Sequence, residues 1–153
     1  MSTIKLIRTD SANEDFKSLV GLLDAELKAS DGEQHVFYSE FNKIDSIRYA
    51  VVAYADKIPV GCGAIREYTN DTAEIKRMYV KSEFRGKGIG KAVLNELEQW
   101  GLELNFPVLI LETGEKQREA VGLYKKYGFE LIPNYGQYVG VENSICFKKR
   151  LND

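Results

Sequence analysis

The stretch Val80 to Lys91 (VKSEFRGKGIGK) constrains the fold more than any other, because it joins two different periodicities through a glycine-rich turn. Before it, Ala73 to Val80 has the apolar and β-branched character of a strand. After it, Gly88 to Leu104 carries Ile89, Val93, Leu97, Trp100 and Leu104 on one stripe, the pattern of an amphipathic helix. Phe106 to Leu111 (FPVLIL) is then a near-continuous apolar run, which predicts a buried central strand. Strand, tight turn, helix, buried strand is the signature of a crossover in an α/β domain.

The rest of the chain fits around that unit. Ser46–Ala55, Ile58–Tyr68 and Ala73–Val80 read as strands joined by the turns Asp56-Lys57 and Asn70-Asp71. Connections this short require an antiparallel meander. Pro59, which cannot donate to a ladder, lies near a strand start. Thr3–Arg8 reads as an edge strand. Ser11–Ala29 reads as a helix with Phe16, Leu19, Val20, Leu23 and Leu27 on its buried face, and Ser11 or Asn13 is placed to cap it. Ser30–Asp45 is irregular, polar and aromatic, with room for one short helical turn. Gln117–Tyr127 puts Ala120, Leu123, Tyr124 and Tyr127 on one helical face and ends at Gly128, a suitable residue just past a helix C-terminus. Phe129–Ile132 and Ser144–Lys149 read as the last two strands.

Composition narrows the classes of partner. With 153 residues the chain suits one compact domain, which buries roughly two thirds of its unfolded surface and needs no disulfide. Lys and Arg number 21 against 23 Asp and Glu, and the resulting charge of −2 argues against a general nucleic-acid binder. Cys62 and Cys146 follow no metal-ligand spacing and read as buried free thiols; no metal site is expected. Met1–Arg8 has no secretory core, its longest apolar run being two residues, and no stretch approaches the ~20 apolar residues of a membrane span. The expected location is the cytoplasm, away from the membrane.

The turn itself is built for phosphate. Glycine lets the backbone approach a ligand closely and take positive φ. A helix N-terminus presents N–H groups with about half a positive charge behind them. Arg85, Lys87 and Lys91 add fixed charge. A dinucleotide fingerprint fails here, since Lys91 or Val93 falls where its third glycine belongs; a Walker A loop fails at Arg85 and Ala92. What fits is R-x-x-G-x-G, as Arg85, Gly88 and Gly90. Here the sequence resembles the GNAT superfamily of acyl-CoA-dependent N-acetyltransferases, whose pyrophosphate loop has the form Q/R-x-x-G-x-G/A. A second block, Ala120 to Phe129 (AVGLYKKYGF), is similar to that family's A-x-x-L-Y-x-x-x-G-F segment.

The resemblance implies a single α/β domain over residues 1–153, with a mixed, mostly antiparallel sheet of about six or seven strands flanked by helices. It also implies an enzyme that moves an acetyl group from acetyl-CoA directly to an amine and releases coenzyme A. Main-chain groups of Met78, Tyr79 and Val80 would pair with the pantetheine arm, and an N–H near Met78 would polarise the thioester carbonyl. Arg85, Gly86, Lys87, Gly88, Ile89, Gly90 and Lys91 would hold the pyrophosphate. Gln117 stands where the family often has an asparagine touching the pantetheine; its amide has one more methylene.

Tyr124 matches the family tyrosine near the sulfur, either as the acid for the departing thiolate or as packing on the pantetheine. Glu74, six residues before Val80, matches the strand glutamate that serves as base in the histone-acetylating branch. The other reading is a strand glutamate paired with Lys76. Glu112, at the end of the central strand, would bind a cationic acceptor or hydrogen-bond the Thr113-Gly114 turn. His35 and Tyr38, with Phe37 and Phe41, fall in a segment that often borders the acceptor pocket in this family. His35, the one histidine, is a second candidate base or a solvent-exposed side chain. Tyr135 and Tyr138 are further candidates to line the pocket. The acceptor expected is a small-molecule amine, handled by a monomer or homodimer. A protein or peptide acceptor, and a non-catalytic acyl-CoA sensor, are the alternatives.

Overall fold

The computed structural model describes residues 3–31 and 47–151. Within them lie strands β1 (Ile4–Thr9), β2 (Tyr49–Ala55), β3 (Ile58–Thr69), β4 (Thr72–Val80), β5 (Val108–Gly114), β6 (Glu130–Ile132) and β7 (Ser144–Arg150). The helices are α1 (Glu14–Asp31), α2 (Ile89–Glu103) and α3 (Arg118–Lys126), with single 3-10 turns at Ser82–Phe84 and Gly136–Tyr138. The strands follow one hydrogen-bonded order, β1-β2-β3-β4-β5-β7-β6. The fold is the mixed α/β arrangement expected, and β1 is an edge strand as its weak alternation predicts. By internal contacts the chain divides into two compact units: Met1–Arg66 with Lys76–Leu97, and Glu67–Ile75 with Glu98–Asp153.

The first unit is an antiparallel meander carrying α1 and the first part of α2. β1 pairs with β2 and β2 with β3, both antiparallel. Asp56 and Lys57 both have positive φ (50° and 75°), the backbone of a two-residue turn whose twist matches the strands it joins. Asn13 caps α1 by accepting the Phe16 N–H at 2.8 Å. The helix buries Phe16, Leu19 and Val20 against Ala50, Val52, Cys62 and Ala64. Each large side chain so buried contributes roughly 1.5–3 kcal/mol.

Two glycines of β3 are needed for close approach. A Cβ on Gly63 would collide with Met78 Sδ and lie 2.9 Å from Val93 Cγ1 and 3.0 Å from Leu97 Cδ1. A Cβ on Gly61 would stand 2.9 Å from Ile89 Cγ2 and 3.1 Å from the Tyr79 carbonyl. Without those side chains α2 and the end of β4 settle directly on β3. In β4 itself Arg77 is left-handed, φ 61°, which is rare for a long side chain and signals a local distortion of the strand. Its buried guanidinium bonds Asp24 of α1 at 2.9 Å, and the Cys62 thiol donates to its carbonyl at 3.3 Å.

The second unit is built on β5. Val108 to Leu111 are buried in succession, as a central strand requires. β5 runs parallel to β4 over Thr72–Glu74 and Val108–Ile110, and antiparallel to β7 along its whole length. Pro107 delays the start of the strand to Val108, and the strand extends to Gly114. Thr113-Gly114 is therefore not the expected turn but strand, paired with Ile145 and Ser144, and Glu112 lies opposite Cys146. Asn105 (φ 69°) and Gly128 (φ 93°) end α2 and α3 in the left-handed conformation that closes many helices. Both cysteines are buried free thiols. Among the described residues no helix is long and apolar enough to cross a membrane, and no group of three or more His, Cys, Asp or Glu is placed to hold a metal.

Candidate active site

Functional side chains gather in two places, one in each unit. In the first unit β4 runs into the 3-10 turn, and the Lys81 N–H, bonded to the Val60 carbonyl at 2.8 Å, ties the end of the strand to β3. Met78, Tyr79 and Val80 are its last three residues, half-buried after five buried ones. The turn then opens through Gly86 and Gly88, with φ of 78° and 83°. A Cβ on either would meet nothing within 4 Å, so the ground beside both glycines is open. The Ala92 N–H bonds the Gly88 carbonyl at 3.0 Å, making Gly88 the cap of α2. The N–H groups of the first turn, Ile89 to Lys91, therefore point out of the helix end. Lys87 and Lys91 are exposed beside them. Open backbone, an N-terminal helix dipole and two lysines together suit a pyrophosphate.

Arg85 is already engaged by protein groups. Its Nε donates to the Val80 carbonyl at 2.9 Å, and its Nη2 reaches both carboxylate oxygens of Glu26 at 2.9 and 2.8 Å. The sequence shows the arginine but not this partner on α1.

The second place holds the acid–base candidates. Glu74 is 1% exposed, and its Oε2 accepts a 2.6 Å hydrogen bond from the Tyr135 hydroxyl. Burial, then the Glu74 charge, push the Tyr135 phenol far above its ordinary range. Tyr138 is also buried and shifted upward, by burial first and then by the charges of Glu112 and Glu74. Tyr68, Tyr135 and Tyr138 stack edge to face, with centroids 5.4 and 5.6 Å apart. Glu112 accepts from the Ser144 hydroxyl at 2.6 Å. Cys146 sits beside the two glutamates, and burial lifts its thiol to about 11.

Tyr124, on α3, packs against Phe129 and Phe147 with centroids 5.5 and 6.0 Å away. Burial alone raises its phenol, which stays protonated at any ordinary pH. Gln117 occupies the position before the first residue of α3, half-buried. His35 and Tyr38, with Phe37 and Phe41, lie outside the described residues. The Tyr135–Glu74 and Ser144–Glu112 bonds leave no local signature in the sequence, since they join residues 61 and 32 positions apart.

The sequence model of the Acetyltransferase (GNAT) family matches residues 16–129. A curated relative, the IAA acetyltransferase of Azospirillum brasilense, is 37% identical over 106 residues, 69% of this chain and 69% of its own length. The chain spans only 35% and 47% of the lengths of two further curated N-acetyltransferases, from Dictyostelium discoideum and Schizosaccharomyces pombe. A crystal structure assigned to an acyl-CoA N-acyltransferase of Klebsiella pneumoniae superposes with a TM-score of 0.80 at 26% identity, covering 99% of both chains. The PaiA N-acetyltransferase of Thermoplasma acidophilum, solved in complex with coenzyme A, shares the fold at 20% identity, with a TM-score of 0.72 over 97% of this chain and 99% of its own.

Proposed function

We propose, for a chain that belongs to the Acetyltransferase (GNAT) family, that it moves an acetyl group from acetyl-CoA to a primary amine of a small molecule. The observation that carries this reading is the loop of Gly86 and Gly88, left-handed and open beside the N-terminus of α2. Its fit to a pyrophosphate is what this cosubstrate needs from the chain.

Acetyl-CoA supplies the activated acetyl group. The loop from Gly86 to Lys91 holds the pyrophosphate through main-chain N–H groups, with Lys87 and Lys91 adding charge. Backbone groups of Met78 to Val80 align the pantetheine as an added strand, and an N–H near Met78 donates to the thioester carbonyl. A donor of that kind contributes ~10²–10³ in rate. An alkylamine with a pKa of ~10.4 must lose a proton before it attacks. Glu74 takes that proton through Tyr135: the Tyr135 oxygen accepts it from the amine while its own proton passes to Glu74 Oε2. Tyr135 cannot serve as the terminal base, because its phenol is held strongly protonated. Tyr124 faces the same limit in the other direction. A phenol whose pKa is raised by burial steadies a departing thiolate as a hydrogen-bond donor more readily than it surrenders its proton.

A compact acceptor is supported by the aromatic side chains beside Glu74, and by relatives whose names specify small products such as N-acetylaspartate. The buried free thiols agree with a reducing cytoplasm as the place of work. The test is release of free coenzyme A from acetyl-CoA across polyamines, amino acids, aminoglycosides and short peptides. Selective release with one class of small amine is expected. Preference for peptides would overturn the small-molecule reading, and silence with tight acetyl-CoA binding would indicate a sensor.

A further inference from the structure

Arg85 opens the R-x-x-G-x-G pattern, so it stands where a phosphate ligand would be sought. Its hydrogen bonds describe a different task. Nε is spent on the Val80 carbonyl, the last residue of β4, and Nη2 is shared between both oxygens of Glu26 on α1. The guanidinium carbon also lies 5.5 Å from the centroid of the Tyr79 ring. One planar group therefore joins the end of a strand, a neighbouring helix and the first residue of the loop. The two side chains are 31% and 40% exposed, and ion pairs that open to water add little to global stability. What such a pair can do is fix local geometry, and the fork of an arginine does so in a way a lysine cannot.

The loop behind Arg85 needs fixing. Gly86 and Gly88 are both left-handed, and glycine has the most backbone freedom to lose. If that freedom is lost only when the ligand arrives, affinity falls by the cost of ordering. We propose that Glu26 and Arg85 form a latch that orders residues 85–91 before the cosubstrate binds, so that Arg85 is a positioning residue and the phosphates are met by the loop N–H groups, Lys87 and Lys91. The effect on affinity rests on the reading of this loop as the pyrophosphate seat; the latch itself does not.

The two roles of Arg85 predict opposite signs for one substitution. If Glu26 latches the arginine, Glu26→Gln weakens acetyl-CoA binding by about tenfold, the order expected for one residue's worth of ordering. If Glu26 instead withholds a phosphate ligand, Glu26→Gln frees the guanidinium and tightens binding. The experiment pairs calorimetric titration of acetyl-CoA with amide hydrogen exchange of residues 85–91 in the ligand-free protein, for wild type, Glu26→Gln, Arg85→Lys and the control Glu14→Gln, which loses an exposed pair on the same helix. The latch predicts faster exchange and weaker binding for Glu26→Gln and Arg85→Lys, and neither change for Glu14→Gln. Unchanged exchange in Glu26→Gln, or tighter binding, overturns it. A wild type that binds no acetyl-CoA overturns the seat, and the exchange rates then judge the latch alone.

Discussion

Burial decides what Tyr124 can do. Packed against Phe129 and Phe147, its phenol is neutral over the whole working range, so its O–H stays available as a donor to a departing thiolate. Tyr124→Phe keeps the ring and removes the hydroxyl. It should lower kcat by ~10²-fold and leave the KM for acetyl-CoA nearly unchanged, the pattern of a group that acts when charge develops on sulfur. Steady-state kinetics decide it, and unaltered turnover would make Tyr124 a packing residue. The position of this tyrosine was legible because the A-x-x-L-Y spacing marks it. Glu74 was legible as a strand glutamate at a fixed distance from Val80, but its burial and its bond to Tyr135 were not. Those depend on a 3-10 turn whose place no local pattern reveals, and the same holds for Glu26 beside Arg85.

At the scale of elements, strands and helices followed from periodicity to within a few residues. Asp56-Lys57 and Asn70-Asp71 force hairpins, and the apolar run before Glu112 forces a central strand. The boundaries moved where tertiary pairing outweighed local preference, as when β7 drew Glu112 to Gly114 into β5. The left-handed Arg77 within β4 had no signature, because a non-glycine residue takes positive φ only when its surroundings impose it. Gly63 shows how tightly those surroundings are packed. Gly63→Ala would press a methyl group into Met78, Val93 and Leu97, and overpacking of this kind costs about 1–3 kcal/mol. Urea denaturation should show that loss. A variant as stable as wild type would mean that the flexible Met78 and its neighbours yield freely.

For the whole molecule, the strand order was only partly readable. The meander and the crossover follow from connection lengths, whereas the insertion of β7 between β5 and β6 is set by long-range pairing. Two buried thiols also make stability depend on pH. Burial raises Cys62 from 9.0 to about 12 and Cys146 from 9.0 to about 11. Above pH 9 the unfolded chain has released these protons and the folded one has not. Unfolding is therefore increasingly favoured as pH climbs from 9 towards 11–12, by up to about 1.4 kcal/mol per pH unit for each thiol. Thermal melts should fall along that limb, and Cys62→Ala should make it shallower. A limb of equal slope in the variant would place the titrating groups elsewhere, for instance among the buried tyrosines.

The loop of Gly86 and Gly88 carries the proposed pyrophosphate seat, so it offers the most direct test. Acetyl-CoA should be titrated calorimetrically into the wild type and into Gly88→Glu, with circular dichroism confirming that both are folded. The wild type should bind saturably. The variant, with a carboxylate placed in the seat and a strained left-handed glutamate in the turn, should show no binding. Equal affinity in the two proteins would contradict the assignment of residues 86–91 to the pyrophosphate.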